Sequence, residues 1–265
     1  MHRRLLGLSM LVLCVGCHAV GSRWLREVKP TAGELWERGQ AAMRRGNAAE
    51  AIRCYQESLR ADPGLDRNHL SLAAAYLEQG DEAAACPHLA QYVAAHPEHV
   101  VIRAHLAELL FRLERYAEAR HHFEQCVALG QEEEGPANRR LILCHSRLME
   151  IAELSGDEYA IHLHRGIGLF LLALERSALP EAGGLLPTES LLCKAAGELS
   201  LARLERPDEA RPSWYLYEVW SRLPLRQAAL RHLRAAAAAA PFSYLTPAEH
   251  RSLQLAWRCQ STESC

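Results

Sequence analysis

Gly46-Asn47-Ala48-Ala49-Glu50-Ala51-Ile52, closed by Asp62-Pro63-Gly64, returns in a second form as Gly80-Asp81-Glu82-Ala83-Ala84-Ala85-Cys86, closed by His96-Pro97. Gly46 and Gly80 stand 34 residues apart, as do Pro63 and Pro97. Ala51, Ala85 and Ala119 carry the interval into a third copy. A period of that length marks a unit of two helices and a turn, stacked on copies of itself. Such a stack offers a surface for holding something rather than a pocket for chemistry.

Each landmark has a mechanical reason. In the first unit, residues 32–65, helix A carries Leu35, Gly39, Ala42 and Met43, and helix B carries Ala51, Ile52, Tyr55 and Leu59. Gly39 and Ala42 are small enough for the two helices to approach closely, and Tyr55 fills the space above Ala51. Gly46 supplies a left-handed helix end, and Pro63 stops helix B. The second unit, residues 66–99, repeats this with Leu72, Ala73, Tyr76, Gly80-Asp81, Ala85, Leu89 and Pro97. The third, residues 100–131, keeps Leu106, Ala107, Leu110, Ala119 and Phe123 but has Glu114 where the turn glycine stood.

On these landmarks residues 32–131 resemble a tetratricopeptide-repeat protein. The resemblance implies an all-α fold, a right-handed α-solenoid of helical hairpins. An acidic break at 132–136, with Glu132-Glu133-Glu134, interrupts it. Residues 137–260 then read as degenerate tetratricopeptide-like pairs: a fourth turning at Gly156-Asp157, and a fifth around Arg206-Pro207-Asp208-Glu209-Ala210. Thr188 is a plausible helix cap after the Gly183-Gly184 and Pro187 loop. Thr246-Pro247-Ala248-Glu249 has the form of a capping box opening a closing helix. Residues 261–265 form a tail.

The first residues point outside the fold. His2-Arg3-Arg4 precedes an uncharged apolar stretch, residues 5–15, which has the length of a signal-peptide core rather than a membrane span. Leu13-Cys14-Val15-Gly16-Cys17 resembles a bacterial lipobox, departing from it in having Cys14 three positions before the modified cysteine. It implies a signal peptide over 1–16, lipidation of Cys17, a tether over 17–31 and a periplasm-facing location on a bacterial membrane. An ordinary cleaved signal, with cleavage after Ala19, and an uncleaved anchor remain open. Cys14-Val15-Gly16-Cys17-His18 also matches the c-type haem pattern C-x-x-C-H. Cys14, however, would lie in the discarded signal, so coincidence is the preferred reading. No cofactor is expected.

The resemblance places a peptide-binding groove on helix A of each repeat. Its candidates are Trp36, Gln40, Met43, Arg44, Arg67, Leu70, Ala74, Leu77, Glu78, Val101, Ala104, Glu108, Phe111 and Arg112. Apolar anchors and single charges suit an extended or helical peptide. The Lys/Asn clamp of chaperone-binding relatives is missing, with Trp36 and Gln40 at two of its positions.

Other chemistry finds no motif. The formal net charge is −2, and no basic face dominates, so nucleic acid is not expected. There is no H-E-x-x-H, G-x-S-x-G or phosphate loop. Among the 14 histidines, His121-His122 and the His162/His164 pair sit on different helix faces. They are expected at the surface or its boundary, and no metal site is assigned. Gly166-Ile167-Gly168 reads as close helix packing. Most cysteines are expected as small buried groups, with a Cys259–Cys265 bridge left open. Trp214, Tyr215, Tyr217 and Trp220 are expected chiefly as core.

The expected function is a non-enzymatic scaffold for a protein or peptide partner, anchored to a membrane through lipid, with no small-molecule substrate. The alternatives are a haem or redox protein built on Cys14, Cys17 and His18, and an accessory docking subunit of an envelope enzyme or assembly machine.

Overall fold

The computed structural model describes residues 29–130, 137–177 and 188–262. The signal peptide, Cys14, Cys17, His18, the acidic break and Cys265 lie outside them. Among the described residues the structure is all-α, with no strands. The chain divides into two compact units, Met1–Asn68 and His69–Cys265.

In the first unit α1 (Ala32–Arg44) and α2 (Ala48–Ala61) form a hairpin. Thr31 and Glu34 make a capping box that opens α1. Asn47 caps α2 by accepting the Glu50 N–H. Gly39 permits the close approach expected of it, since a Cβ there would run into the Tyr55 ring. Ser58 and Asn68 are buried, and both are bonded. The Ser58 hydroxyl donates to the Ala32 carbonyl at 2.6 Å and accepts from Asn68 Nδ2 at 2.9 Å.

The helices that follow are α3 (Asp66–Glu78), whose first residues belong to the first unit, α4 (Glu82–Ala95), α5 (Val100–Arg112) and α6 (Tyr116–Gly130). Next come α7 (Ala137–Ser155), α8 (Glu158–Ser177), α9 (Thr188–Glu205) and α10 (Ala210–Ser221). The chain ends in α11 (Arg226–Ala239), a single 3-10 turn at Ala240–Phe242, and α12 (Pro247–Thr262). Thr188 is thus the first helical residue of α9 rather than a residue ahead of it.

One turn joins four of these pairs. Gly46, Gly80, Glu114 and Gly156 each adopt a left-handed φ, at 73°, 77°, 59° and 68°. Each N–H bonds the carbonyl three residues back, and the next N–H bonds the carbonyl five back: Gly46 to Met43 with Asn47 to Ala42, through to Gly156 to Glu153 with Asp157 to Ala152. This pair of hydrogen bonds satisfies the last carbonyls of each helix A and reverses the chain. The third repeat therefore lacks the glycine but keeps its turn.

The core of the second unit runs through successive pairs: Leu106 and Leu110 with Phe123 and Val127, then Leu148, Ile167, Leu199, Leu216 and Leu233. Gly166 is where α8 meets α9, since a Cβ there would sit 2.7 Å from Leu199 Cγ. Gly168 does not share that role, because a Cβ on it would make only ordinary contact. Trp214 and Tyr215 are buried, and Tyr217 and Trp220 pack half-buried on the same core.

The Thr246–Glu249 capping box forms, and it also serves a second purpose. Glu249 is 3 % exposed. Its carboxylate accepts from Arg211 Nε at 3.0 and 3.1 Å and from the Tyr215 hydroxyl at 2.9 Å. The cap of α12 is thereby the lock that holds α12 to α10. The outward side of α12 is not wholly polar, because Leu255 and Trp257 are exposed on it.

One expectation needs correcting. Cys86, Cys126 and Cys144 are buried, but Cys193 and Cys259 are exposed. His164, expected at the surface or its boundary, is partly buried, and its Nδ1 lies 3.0 Å from Nδ1 of the fully buried His145, a contact made at the α7–α8 crossing.

Candidate protein-binding surfaces

The helix A positions proposed for the groove fall in different units. Trp36, Gln40, Met43, Arg44 and Arg67 belong to the first, and the others to the second.

In the first unit Trp36, Gln40 and Met43 are half-buried and Arg44 is exposed. The Arg67 guanidinium lies 4.3 Å from the centre of the Trp36 ring. An indole face covered by a cation is a cation–π pair of about 0.5–1 kcal/mol at exposed sites.

In the second unit Leu70 is half-buried, and Ala74, Leu77, Glu78 and Val101 are exposed. Ala104 is buried and so belongs to the core rather than the groove. Glu108, Phe111 and Arg112 are engaged within the chain. Arg147 of α7 forks onto Glu108, with Nε to Oε1 at 2.8 Å and Nη2 to Oε1 at 2.6 Å, and its other amino group holds Glu150. Hydrogen bonding to Glu108 raises the Arg147 pKa. The same guanidinium lies 4.6 Å from the centre of the Phe111 ring. Arg112 is bonded to Glu82.

The result is a prearranged surface on α5 and α7. Val101 is seven residues before Glu108, and Leu143 is four before Arg147, so each shares its helix face with the ion pair. Both are exposed, at 48 % and 40 %. Arg147 and Leu143 were not among the sequence candidates. Their signal was hidden because α7 follows the break, where the 34-residue register is lost.

A second recess, of about 480 Å³, lies on the helix B side, with Arg120, Tyr159, His164, Arg206, Arg211 and Tyr244 in its wall. Its arginines are committed: Arg206 to Asp157 and the Tyr159 ring, Arg211 to Glu249, Arg120 to the Ser155 hydroxyl. Burial pushes the Tyr159 pKa up to about 12 and holds His164 well below the usual imidazole range. At neutral pH both are uncharged, and the Thr246 hydroxyl is spent on its cap.

Comparison with known proteins agrees with this architecture. Residues 32–65 and 77–134 each match a family model described as tetratricopeptide repeat. No curated protein matches the chain. Among solved structures, a MamA protein is similar at 15 % identity and TM-score 0.40, covering 78 % of this chain and 91 % of that one. The Sgt2 TPR domain from Aspergillus fumigatus is similar at 19 % identity and TM-score 0.35, covering 58 % and 88 %. A thermophilic TPR protein in Thermus thermophilus is similar at 17 % identity and TM-score 0.34, covering 86 % and 98 %. On its turns and the two family-model matches, the chain carries tetratricopeptide repeats over residues 32–65 and 77–134.

Proposed function

We propose that this chain is a non-enzymatic scaffold that binds a segment of a partner protein on its helix A faces. In this reading it is exported and held at a bacterial membrane by lipid on Cys17, facing the periplasm. The observation that carries the binding site is the Arg147–Glu108 fork laid over Phe111, with Val101 and Leu143 exposed on the same faces. A fixed guanidinium beside apolar side chains is the composition of a binding hot spot, with little side-chain entropy left to lose. Trp36 beneath Arg67 offers the same pairing in the first unit.

The test is capture from membrane extracts. The wild-type chain is expected to retain a defined protein that Trp36→Ala combined with Phe111→Ala loses. Equal capture by both would refute the groove. The tether is tested separately by labelling with palmitate: label is expected on the wild type and lost in Cys17→Ser. A colourless protein is expected, and a Soret band would instead favour haem at Cys14, Cys17 and His18.

A further inference from the structure

We propose that His96, Glu98 and His99, in the connection between α4 and α5, form a binding site for one divalent transition-metal ion of the zinc class. Their donor atoms all lie within 4.8 Å of one another, and they are the cluster of this kind among the described residues. Glu98 Oε1 is the hub, 3.6 Å from His96 Nδ1 and 3.5 Å from His99 Nε2. Tetrahedral zinc with bonds of about 2.0–2.1 Å sets neighbouring donors about 3.3 Å apart. Two edges of the donor triangle are therefore within a few tenths of an ångström of the metal-bound geometry. The third, between His96 and His99, is no longer than 4.8 Å, and solvent reaches both imidazoles.

The backbone holds the three residues in this arrangement. The His96 N–H bonds the Tyr92 carbonyl and ends α4, the His99 N–H bonds the His96 carbonyl, and Pro97 fixes the chain between them. The tight loop turns both imidazoles to one side, where their rings stack with centroids 5.2 Å apart. A second partner orients His99. The Tyr92 hydroxyl lies 2.8 Å from its Nδ1, which directs Nε2 toward Glu98. An outer hydrogen bond on the far nitrogen of a ligating histidine is the usual companion of such sites.

Two imidazoles and a carboxylate select borderline ions such as Zn²⁺ over hard Ca²⁺ or Mg²⁺. Three protein donors leave a fourth position for water or for a donor from a partner. A bound ion would also clamp α4 to α5 at the joint between the second and third repeats. No one-face helical spacing in the sequence marks this site, because His96 and His99 are brought together by the turn at Pro97 that follows α4.

The test is calorimetric titration of the full-length, reduced chain with Zn²⁺, repeated with Co²⁺ in the spectrophotometer. One equivalent is expected to bind, with a cobalt d–d spectrum free of any thiolate charge-transfer band. His99→Ala and Glu98→Gln are each expected to weaken binding at least tenfold. Tyr92→Phe should weaken it about tenfold, whereas a His121→Ala and His122→Ala double variant should bind as the wild type does. Circular dichroism identical to the wild type will separate ligand loss from unfolding. Equal affinity in wild type and His99→Ala, binding carried by His121 and His122, or a thiolate band would each overturn the assignment.

Discussion

Glu114 shows how far one residue can depart from a repeat without losing it. Its φ of 59° is the value that Gly46, Gly80 and Gly156 reach freely, and in a residue with a Cβ it costs about 1–2 kcal/mol. Glu114→Gly should therefore raise the stability of the second unit. Glycine's greater freedom in the unfolded chain offsets part of the relief, so a net gain of about 0.5–1 kcal/mol is expected. Denaturant titration checks this, and a lowered midpoint would contradict the strain. Glu249 makes the opposite case. Glu249→Ala would leave Arg211 buried and unpaired, and loss of about 3–5 kcal/mol is expected; a change below about 1 kcal/mol would show that the lock is not there. At both positions the sequence was legible only in part. The missing glycine at 114 was visible, as was the capping box, but neither the retained turn nor the buried partner of Glu249 could be read from spacing along the chain.

Between elements, close approach and buried imidazoles dominate. Gly166→Ala would put a methyl group within 2.7 Å of Leu199, at the α8–α9 crossing. Overpacking of this kind costs about 1–3 kcal/mol, seen as a lower thermal midpoint. The histidines between helices set a pH dependence. Burial, then Arg211, lowers the His145 pKa to about 3, and burial, then Arg103 and His121, lowers that of His122 to about 4. Unfolded histidine titrates near 6.5, so between about pH 6.5 and these values the unfolded chain binds more protons. Stability is then full above pH 6.5 and falls on acidification, by on the order of 1 kcal/mol per unit for each such group. Urea titrations at pH 7 and pH 5 should show the loss, and His145→Gln should reduce it. An unchanged slope would mean that His145 is not buried neutral. The period placed helices A and B and their small residues correctly, because short-range sterics set them. It could not place His145 against His164, since that contact depends on how α7 and α8 cross after the register has broken.

The whole molecule combines a proposed anchor, a first unit carrying the Trp36–Arg67 pair, and a second carrying the Phe111–Arg147–Glu108 arrangement. Fold class was legible because three repeats in register leave few other readings. The binding surface was legible only by helix: several of its charges turn out to be committed to neighbouring helices, and Ala104 to the core. Exposed apolar side chains stand on helix B faces too, Leu172 on α8 and Leu255 on α12, so the claim that partners bind on helix A can be tested by position. The direct measurement is photo-crosslinking in intact cells, with a photoreactive phenylalanine analogue placed singly at Val101, Leu143, Leu172 or Leu255. The account predicts one shared protein adduct from Val101 and Leu143 and none of that mass from Leu172 or Leu255. Adducts from Leu172 or Leu255 alone, with Val101 and Leu143 silent, would contradict it.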